Sequence, residues 1–160
     1  MVIRPYRADD LAPLEQIVHK LHPKWFDANA LINIPIDIQL GNSFVAEDSN
    51  EVKGFIVISS LEGVVWINWL AVDPQYHGKS IGTELLKHVE EKLKQLGVHE
   101  LRVDTVVEQS PPDGTYDKTI QFYLKHGFRL IEKKEQKKYK DFKYRRGVLV
   151  KVVSQKGEVN

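Results

Sequence analysis

The first twenty residues change from a strand-like run to a helical repeat of apolar side chains. Residues 2–5 are typical of a short strand, and the segment after them places apolar side chains three and four residues apart. These apolar side chains are Leu11, Leu14, Val18 and Leu21. Such spacing puts side chains on one face of a helix, so the pattern predicts a strand followed by an amphipathic helix. Asp9 or Asp10 is positioned to cap it.

A segment without a clear period follows, and then two strand-like runs. Residues 23–40 mix aromatic residues, two prolines and other apolar side chains, which favours only a short helix or a loop. The runs SFVAED and VKGFIVISS are rich in β-branched and aromatic residues, and DSNE between them favours a turn. Together the two runs predict a β-hairpin.

The middle of the chain contains its strongest strand and helix signals. VVWINWLAV, residues 64–72, is apolar except for Asn68, which predicts a central strand covered on both faces. Further on, Leu85, Val89, Leu93 and Leu96 recur at helical spacing. Gly97 follows at the position where a left-handed residue commonly ends a helix. This pattern predicts a long helix ending at Gly97.

The last third of the chain predicts further strands and one more helix. Residues 99–108 and 128–136 are typical of strands, residues 110–116 of an irregular loop, and residues 117–127 of a helix with a glycine stop. GVLVKVV, residues 147–153, then closes the sheet. The order of elements predicts an α/β fold with a mixed sheet and helices on its faces. A chain of 160 residues fits one domain, residues 1–160.

Composition narrows the possible functions. The 23 basic residues nearly balance the 22 acidic residues, so the net charge does not call for nucleic acid, a membrane surface or an acidic substrate. The absence of cysteine excludes disulfides, thiolate nucleophiles and cysteine-based zinc sites. No apolar run approaches the roughly 18 residues of a membrane span. We therefore expect a soluble, cytoplasmic protein that does not bind a membrane.

One basic segment, residues 133–146, carries eight basic and two acidic side chains. It is interpreted as a solvated hairpin whose charged edges discourage strand pairing. An alternative is a contact surface for an anionic partner, including a nucleic acid whose bases stack on Tyr139, Phe142 and Tyr144. The near-neutral total charge makes the nucleic-acid alternative the weaker one.

The hinge HGKSIGT, residues 77–83, joins the apolar strand to the long helix. Gly78 and Gly82 allow sharp turns and a close approach of the backbone to a ligand. The first amides of the following helix lack intrahelical acceptors, so this junction predicts an anion site, with phosphate as the obvious ligand. The spacing fits neither the phosphate loop of nucleoside triphosphatases nor the dinucleotide fingerprint.

The hinge and its surroundings resemble the acyl-coenzyme A loop of the GNAT acetyltransferase superfamily. WLAVDPQY followed by residues 77–82 is similar to the family pattern of a strand ending in LAV, a short turn and [RQ]xxGx[GA]. IRPYRADDLAPLEQI resembles the opening strand and helix of the family, and QFYLKHGF resembles a later helix end. The likeness covers residues 3–128. It departs from the pattern at His77, which replaces Arg or Gln, and at Ser80, which replaces glycine.

This resemblance implies a fold and a set of cosubstrate-binding residues. The fold is a mixed, mostly antiparallel sheet flanked by helices, with acyl-CoA bound where the central strand meets the long helix. The implied acetyl-CoA contacts are Leu70, Ala71, Val72, His77, Gly78, Lys79, Ser80, Ile81, Gly82 and Thr83. If His77 contacts the pyrophosphate as an imidazolium, affinity should weaken as the pH rises through about 6.5. The alternative is an exposed loop histidine.

The resemblance also implies the reaction, which is acetyl transfer to a primary amine, with Tyr123 as general acid toward the departing thiolate. Trp25, Phe26 and Asn68 are candidate acceptor-binding residues, although such aromatic residues often serve packing. The general base stays open among Glu62, Asp104, Glu108 and a water chain.

Other properties of the site are less well defined by the sequence. A non-catalytic acyl-CoA-binding module is the main alternative function. His19 and His22 lack a third ligand, so no metal is expected. The oligomeric state is either a monomer or a homodimer.

Overall fold

The structure, a computed structural model, describes residues 1–112 and 114–154. Within these ranges the chain forms eight strands, four α-helices and two short 3-10 turns. In chain order the elements are β1 (Val2–Pro5), α1 (Leu11–Leu21), α2 (Ala28–Leu40), β2 (Asn42–Asp48), β3 (Glu51–Leu61), β4 (Val64–Val72), α3 (Ile81–Gln95), β5 (Glu100–Ser110), α4 (Thr115–Lys125), β6 (Arg129–Lys133), β7 (Lys137–Tyr139) and β8 (Phe142–Val152). The fold class is α/β with mostly antiparallel strands, as predicted, and the helices flank the strands.

The chain divides into two compact units, residues 1–60 with 67–92 and residues 61–66 with 93–160. The organisation of residues 1–160 as a single domain stays a prediction. In the first unit, β1 to β4 are neighbours in chain order. β2 and β3 form the predicted hairpin, whose two turn residues Ser49 and Asn50 have positive φ. Such values are those that two-residue hairpin turns require.

Helix α1 carries the predicted apolar face into the core of the first unit. Leu14, Val18 and Leu21 are buried there beside Val45 and Phe55 of the strands. Leu11 is only partly buried at the edge of the same cluster.

Asp10 occupies the N-cap position of α1, but its carboxylate does not cap the helix amides. It accepts hydrogen bonds from the backbone N–H of Arg7 at 2.7 Å and from the guanidinium of Arg4 at 2.9 Å. The predicted cap therefore acts as an ion-pair partner.

Helix α2 is longer than the sequence predicted. It begins after Asp27, whose carboxylate accepts a hydrogen bond from the Ala30 N–H at 2.9 Å, and it continues for 13 residues through Pro35. Ala30, Ile34 and Ile38 are buried, whereas Ile32, Ile36 and Leu40 are exposed. Because apolar residues occupy both faces, the helical period is hidden in the sequence.

Strand β4 is present as predicted, but it is not covered on both faces. Val65, Ile67 and Ala71 are buried, whereas Asn68 is exposed and Leu70 is only partly buried. Alternate side chains of a strand point to opposite faces. The expectation of two covered faces is therefore wrong, and the partly open face is the one that carries Asn68 and Leu70.

Helix α3 ends as predicted, at a glycine with a left-handed backbone. Gly97 has a φ of 74°, and its N–H donates to the carbonyl oxygen of Lys94. The N–H of Val98 donates to the carbonyl oxygen of Leu93 at 2.9 Å. These two bonds form a Schellman motif. Leu96 lies beyond the last helical residue and is 69% exposed, so its assignment to the buried face is wrong.

In the second unit, strand β8 pairs antiparallel with β5 on one side and with β6 on the other. The last strand is therefore an internal strand of this unit and not its edge. β7 and β8 form the hairpin predicted within residues 133–146. Helix α4 begins at Thr115, two residues earlier than predicted, and is followed by Gly127 with a φ of 90°.

Candidate active site

The segment between β4 and α3 turns twice through left-handed backbone conformations. Gly78 has a φ of 80° and Ser80 has a φ of 65°. The first hydrogen bond of α3 runs from the Glu84 N–H to the Ser80 carbonyl at 3.0 Å. The amides of Ile81 and Gly82 therefore precede the first intrahelical bond, at the end where the helix dipole is positive. This is the geometry of an anion site.

The backbone is left-handed at two positions of this loop, Gly78 and Ser80, and the glycine of the family pattern corresponds to Ser80. A Cβ on Gly78 would meet no atom within 4 Å, so this position requires glycine for its φ and not for space. Ser80 adopts a similar φ although it is not glycine. Such a conformation costs an L-residue about 1–2 kcal/mol. The chain therefore carries backbone strain at Ser80.

Asp73 fixes the point where the chain leaves β4. Its buried carboxylate accepts hydrogen bonds from the Gln75 N–H at 3.1 Å and from the Lys20 ammonium at 2.8 Å. Its own N–H donates to the Lys53 carbonyl at 2.9 Å. Burial raises the pKa of Asp73, but the hydrogen bonds and the Lys20 charge outweigh it and hold the pKa below its usual value. The Asp73 carboxylate therefore stays ionised and bonded near neutral pH.

Gly54 on β3 lets the start of α3 pack closely on the strands. A Cβ at this position would lie 2.9 Å from the Ala71 carbonyl oxygen and 3.3 Å from Ile81 Cγ2. The sequence analysis did not single out this residue. Its signal was a glycine inside a strand of β-branched and aromatic residues, which indicates a close approach of another segment.

The His77 ring is held by two contacts within the first unit. Its Nε2 lies 2.9 Å from the Val72 carbonyl oxygen, so in this geometry Nε2 carries the proton and donates. The ring also packs edge-on against Trp25, with ring centroids 5.9 Å apart. His77 is exposed, as the alternative expects, although these two contacts hold its ring, and its contact with a pyrophosphate stays a prediction.

Two of the three predicted acceptor residues, Trp25 and Phe26, reach this region from the linker between α1 and α2, whereas Asn68 lies exposed on β4. Trp25 contacts His77, and Phe26 packs edge-on against Trp69 of β4 with ring centroids 5.6 Å apart. The Trp69 indole N–H in turn donates to Asp37 Oδ2 at 2.7 Å. Asp37 was missed because its partner lies 32 residues away in the sequence.

Tyr123 lies on α4 in the second unit, where it is buried. Its ring contacts Phe122 and Phe128 at centroid distances of 5.3 and 5.2 Å. Burial raises the pKa of Tyr123 well above that of a free phenol. The phenol is therefore protonated at neutral pH and has a hydrogen to donate.

Two of the candidate general bases are ion-paired. Asp104 contacts Lys134 and accepts from Arg146 at 2.9 Å. Glu108 contacts Lys133, and this hydrogen bond lowers the pKa of Glu108. The lowered pKa makes the Glu108 carboxylate a weaker base.

The remaining candidate base is Glu62, and two further features of the described residues concern metal ligands and membrane-spanning helices. Glu62 lies exposed in the turn before β4, with a φ of 52°. Among residues 1–112 and 114–154 no group of three or more possible metal ligands comes together. In the same ranges no helix is both long enough and apolar enough to cross a membrane.

A charged cavity of about 330 Å³ opens beside Asp73 in the first unit. Arg4 binds both carboxylate oxygens of Asp10 at 2.9 Å and donates to Glu47 at 2.6 Å. The hydrogen bond from Arg4 lowers the pKa of Asp10. These ion pairs tie β1 to β2 and to the start of α1.

The arrangement of β4, the loop of residues 77–83 and α3 is the one expected from the resemblance to the GNAT acetyltransferases. The family model of the acetyltransferase (GNAT) domain matches residues 39–130, which is more than half of the chain. The protein therefore belongs to the GNAT acetyltransferase family, with acetyl-CoA as cosubstrate, as the sequence resemblance implied. No curated protein matches the chain in a sequence search.

Solved structures share this fold over nearly the whole chain. The ribosomal-protein-S18-alanine N-acetyltransferase from Escherichia coli is similar with a TM-score of 0.75 and 19% identity, over 99% of this chain and 97% of that one. An aminoglycoside 6'-N-acetyltransferase complexed with coenzyme A is similar with a TM-score of 0.77 and 16% identity, over 99% of this chain and 100% of that one. The PaiA N-acetyltransferase from Thermoplasma acidophilum, in complex with coenzyme A, has a TM-score of 0.71 and 17% identity, over 95% of this chain and 99% of that one. At such identities the likeness establishes the fold.

Proposed function

We propose that the protein transfers the acetyl group of acetyl-CoA to a primary amine by direct attack of the amine on the thioester. The observation that carries this proposal is the loop of residues 77–83, where left-handed turns at Gly78 and Ser80 open the amides at the head of α3. Two of the solved structures with this fold were determined with coenzyme A bound, which supports the same ligand here.

In this proposal the main chain binds most of the cosubstrate. The amides of residues 78–83 bind the diphosphate, together with the positive end of the α3 dipole. The backbone of residues 70–72 binds the pantetheine arm along the partly open face of β4, and one of its amides polarises the acetyl oxygen. Asp73 and Gly54 act as positioning residues, because they fix where β4 ends and how closely α3 approaches it.

Attack by the uncharged amine nitrogen on the carbonyl carbon forms the amide bond, and the carbon–sulfur bond breaks as the thiolate leaves. Tyr123 donates a hydrogen bond to this sulfur. An ordinary phenol has a pKa near 10 and a thiol near 8.5, and burial makes the Tyr123 phenol weaker still as an acid. The phenol therefore stabilises the thiolate as charge grows on sulfur. The ion pairs of Asp104 and Glu108 favour water as the acceptor of the amine proton.

In this proposal Trp25, Phe26 and Asn68 contact the acceptor, Trp25 and Phe26 from the face of β4 that carries Trp69, and Asn68 from the opposite face. Trp25 and Phe26 are held against the cosubstrate loop and β4 by their ring contacts with His77 and Trp69. Asn68 is exposed on the open face of β4, where its amide can hydrogen-bond a polar acceptor.

Release of free thiol from acetyl-CoA across a library of primary amines tests the activity. The protein contains no cysteine, so it adds no background to a thiol assay. We expect thiol release that depends on the amine. Binding of acetyl-CoA in calorimetry without turnover on any amine would instead indicate a non-catalytic acyl-CoA-binding module. No binding at millimolar acetyl-CoA would refute both.

A pair of glycine variants tests the loop itself. Gly78 and Gly63 both have a φ of 80°, and a Cβ on either would meet no atom within 4 Å. Gly78→Ala and Gly63→Ala therefore introduce similar backbone strain, but only Gly78→Ala should weaken acetyl-CoA binding. Equal acetyl-CoA dissociation constants for the two variants would show that the loop does not bind the cosubstrate.

The contribution of His77 is tested by pH. If the ring binds the diphosphate as an imidazolium, acetyl-CoA affinity should weaken as the pH rises and the ring loses its charge. His77→Gln should abolish this pH dependence, because glutamine does not titrate. Identical pH profiles for the native chain and the variant would show that the His77 charge plays no part.

A further inference from the structure

Asp37 is the only ionisable residue of helix α2, whose sequence is ANALINIPIDIQL. It is partly buried and lies between Ile36 and the buried Ile38. Its Oδ2 accepts a hydrogen bond from the Trp69 indole N–H at 2.7 Å. A carboxylate is thus fixed against β4, the strand that carries no acid of its own.

No cationic side chain among the described residues forms an ion pair with Asp37. The indole N–H is an uncharged donor. The carboxylate oxygens can therefore accept further hydrogen bonds from a charged donor. Among the acidic residues of the first unit, Asp10 and Asp73 do have cationic partners, Arg4 and Lys20. Asp37 differs from them in offering its charge to an external cation.

Aromatic rings stand next to this carboxylate. Trp69 presents its indole beside Asp37, and Phe26 packs against Trp69 at a centroid distance of 5.6 Å. Aromatic faces attract ammonium groups through their quadrupole, and tryptophan does so most strongly. A carboxylate combined with two aromatic rings is a chemistry that recognises an alkylammonium group.

We propose that Asp37, Trp69 and Phe26 bind a non-reacting ammonium group of the acceptor, so that the acceptor class is a diamine or oligoamine. This inference rests on the proposed acetyl transfer to an amine. The attacking amine must be uncharged, so an ammonium held by Asp37 is a second amino group of the same molecule. Trp69 directly precedes residues 70–72, the backbone segment that we assign to the pantetheine arm, and its side chain lies on the face of β4 opposite to Asn68 and Leu70.

The test compares two probes that differ in the second ammonium, 1,5-diaminopentane and pentylamine. We expect the diamine to have a KM at least about tenfold below that of the monoamine, since hydrogen bonds to charged groups contribute this much or more. Asp37→Asn keeps an oxygen to accept the Trp69 N–H but removes the charge. It should bring the two KM values together while leaving acetyl-CoA affinity unchanged.

The matched control is Asp27→Asn. Asp27 is exposed, and its carboxylate caps α2, a role that asparagine fills equally well. This control should keep the preference for the diamine. Thermal unfolding of both variants shows whether either change disturbs the fold.

Direct calorimetric titration of diaminopentane, without acetyl-CoA, separates this inference from the proposed function. Diamine binding that is lost in Asp37→Asn and weakened by added salt supports the ammonium site even if no amine is acetylated. Acetylation of pentylamine and diaminopentane with equal KM would overturn the ammonium site and leave the acetyltransferase standing. Unchanged diamine binding in Asp37→Asn, or no binding by the native chain, would overturn it as well.

Discussion

Replacing Ser80 by glycine should stabilise the protein. Ser80 has a φ of 65°, a conformation that costs an L-residue about 1–2 kcal/mol and glycine almost nothing. Glycine also makes the unfolded chain more flexible, which takes back about 0.4–1 kcal/mol. The net gain in unfolding free energy is therefore about 0.5–1 kcal/mol. For a chain of this size this raises Tm by about 1–3 °C.

Urea denaturation and thermal scans of Ser80→Gly measure this gain, and Ser49→Gly is the matched control. Ser49 has a φ of 54° in the β2–β3 turn, so glycine relieves similar strain there. Both variants should gain stability to a similar extent. Acetyl-CoA affinity, measured by calorimetry, should stay within about threefold for both variants, since Ser80→Gly retains the backbone amide proposed to contact phosphate and Ser49 lies outside that loop.

A loss of stability in Ser80→Gly, while Ser49→Gly gains, would contradict this reasoning. It would mean that the Ser80 backbone is not left-handed in solution, or that its hydroxyl stabilises the loop by more than the strain costs. Ser80→Ala separates these two cases, because alanine keeps the strain and removes the hydroxyl. A neutral effect of Ser80→Ala together with a destabilising Ser80→Gly would place the error in the assigned φ.

Three further changes probe the anchors of the site. Gly54→Ala should lower the unfolding free energy by about 1–3 kcal/mol, since its Cβ would lie 2.9 Å from the Ala71 carbonyl oxygen, and it should raise the acetyl-CoA Kd. An unchanged unfolding free energy in denaturation and an unchanged Kd in calorimetry would contradict the close approach of α3. Asp73→Asn should destabilise the protein by a constant amount above about pH 5, and the difference should shrink as the pH falls below about 4, because the Asp73 carboxylate stabilises the fold only while it is ionised. A difference in unfolding free energy that does not depend on pH in urea titrations would exclude the ionised Asp73–Lys20 pair as its source. Tyr123→Phe should reduce kcat by about a hundredfold or more with acetyl-CoA Kd unchanged, and unaltered turnover in the thiol assay would remove Tyr123 from the chemistry.

The elements that the sequence predicted well are those whose local signals agree. In α3 the spacing of Leu85, Val89 and Leu93 and the glycine stop at Gly97 act on neighbouring residues, so each can be read without the tertiary fold. Helix α2 shows the opposite case. Its apolar residues lie on both faces, and Pro35 argues locally against a helix that tertiary packing of Ile34 and Ile38 nevertheless holds.

The site was predictable where it depends on the backbone and not where it depends on distant partners. The loop of residues 77–83 was recognised because glycine spacing and a helix start lie together in the sequence. The contacts of Trp69 with Asp37 and of Trp25 with His77 join residues that are 32 and 52 positions apart. No periodicity encodes such pairs, since they depend on how the linker between α1 and α2 folds back on β4.

Pro35 also affects the chain before it folds. Residues 28–40 are rich in isoleucine and leucine, the kind of composition that forms intermolecular β-sheets when a nascent chain exposes it. Proline has no backbone N–H to donate to a growing sheet, so Pro35 interrupts this stretch near its centre. The charge of Asp37 adds repulsion between neighbouring copies of the chain. The imperfect helix thus gives up some native stability and in return resists aggregation during synthesis.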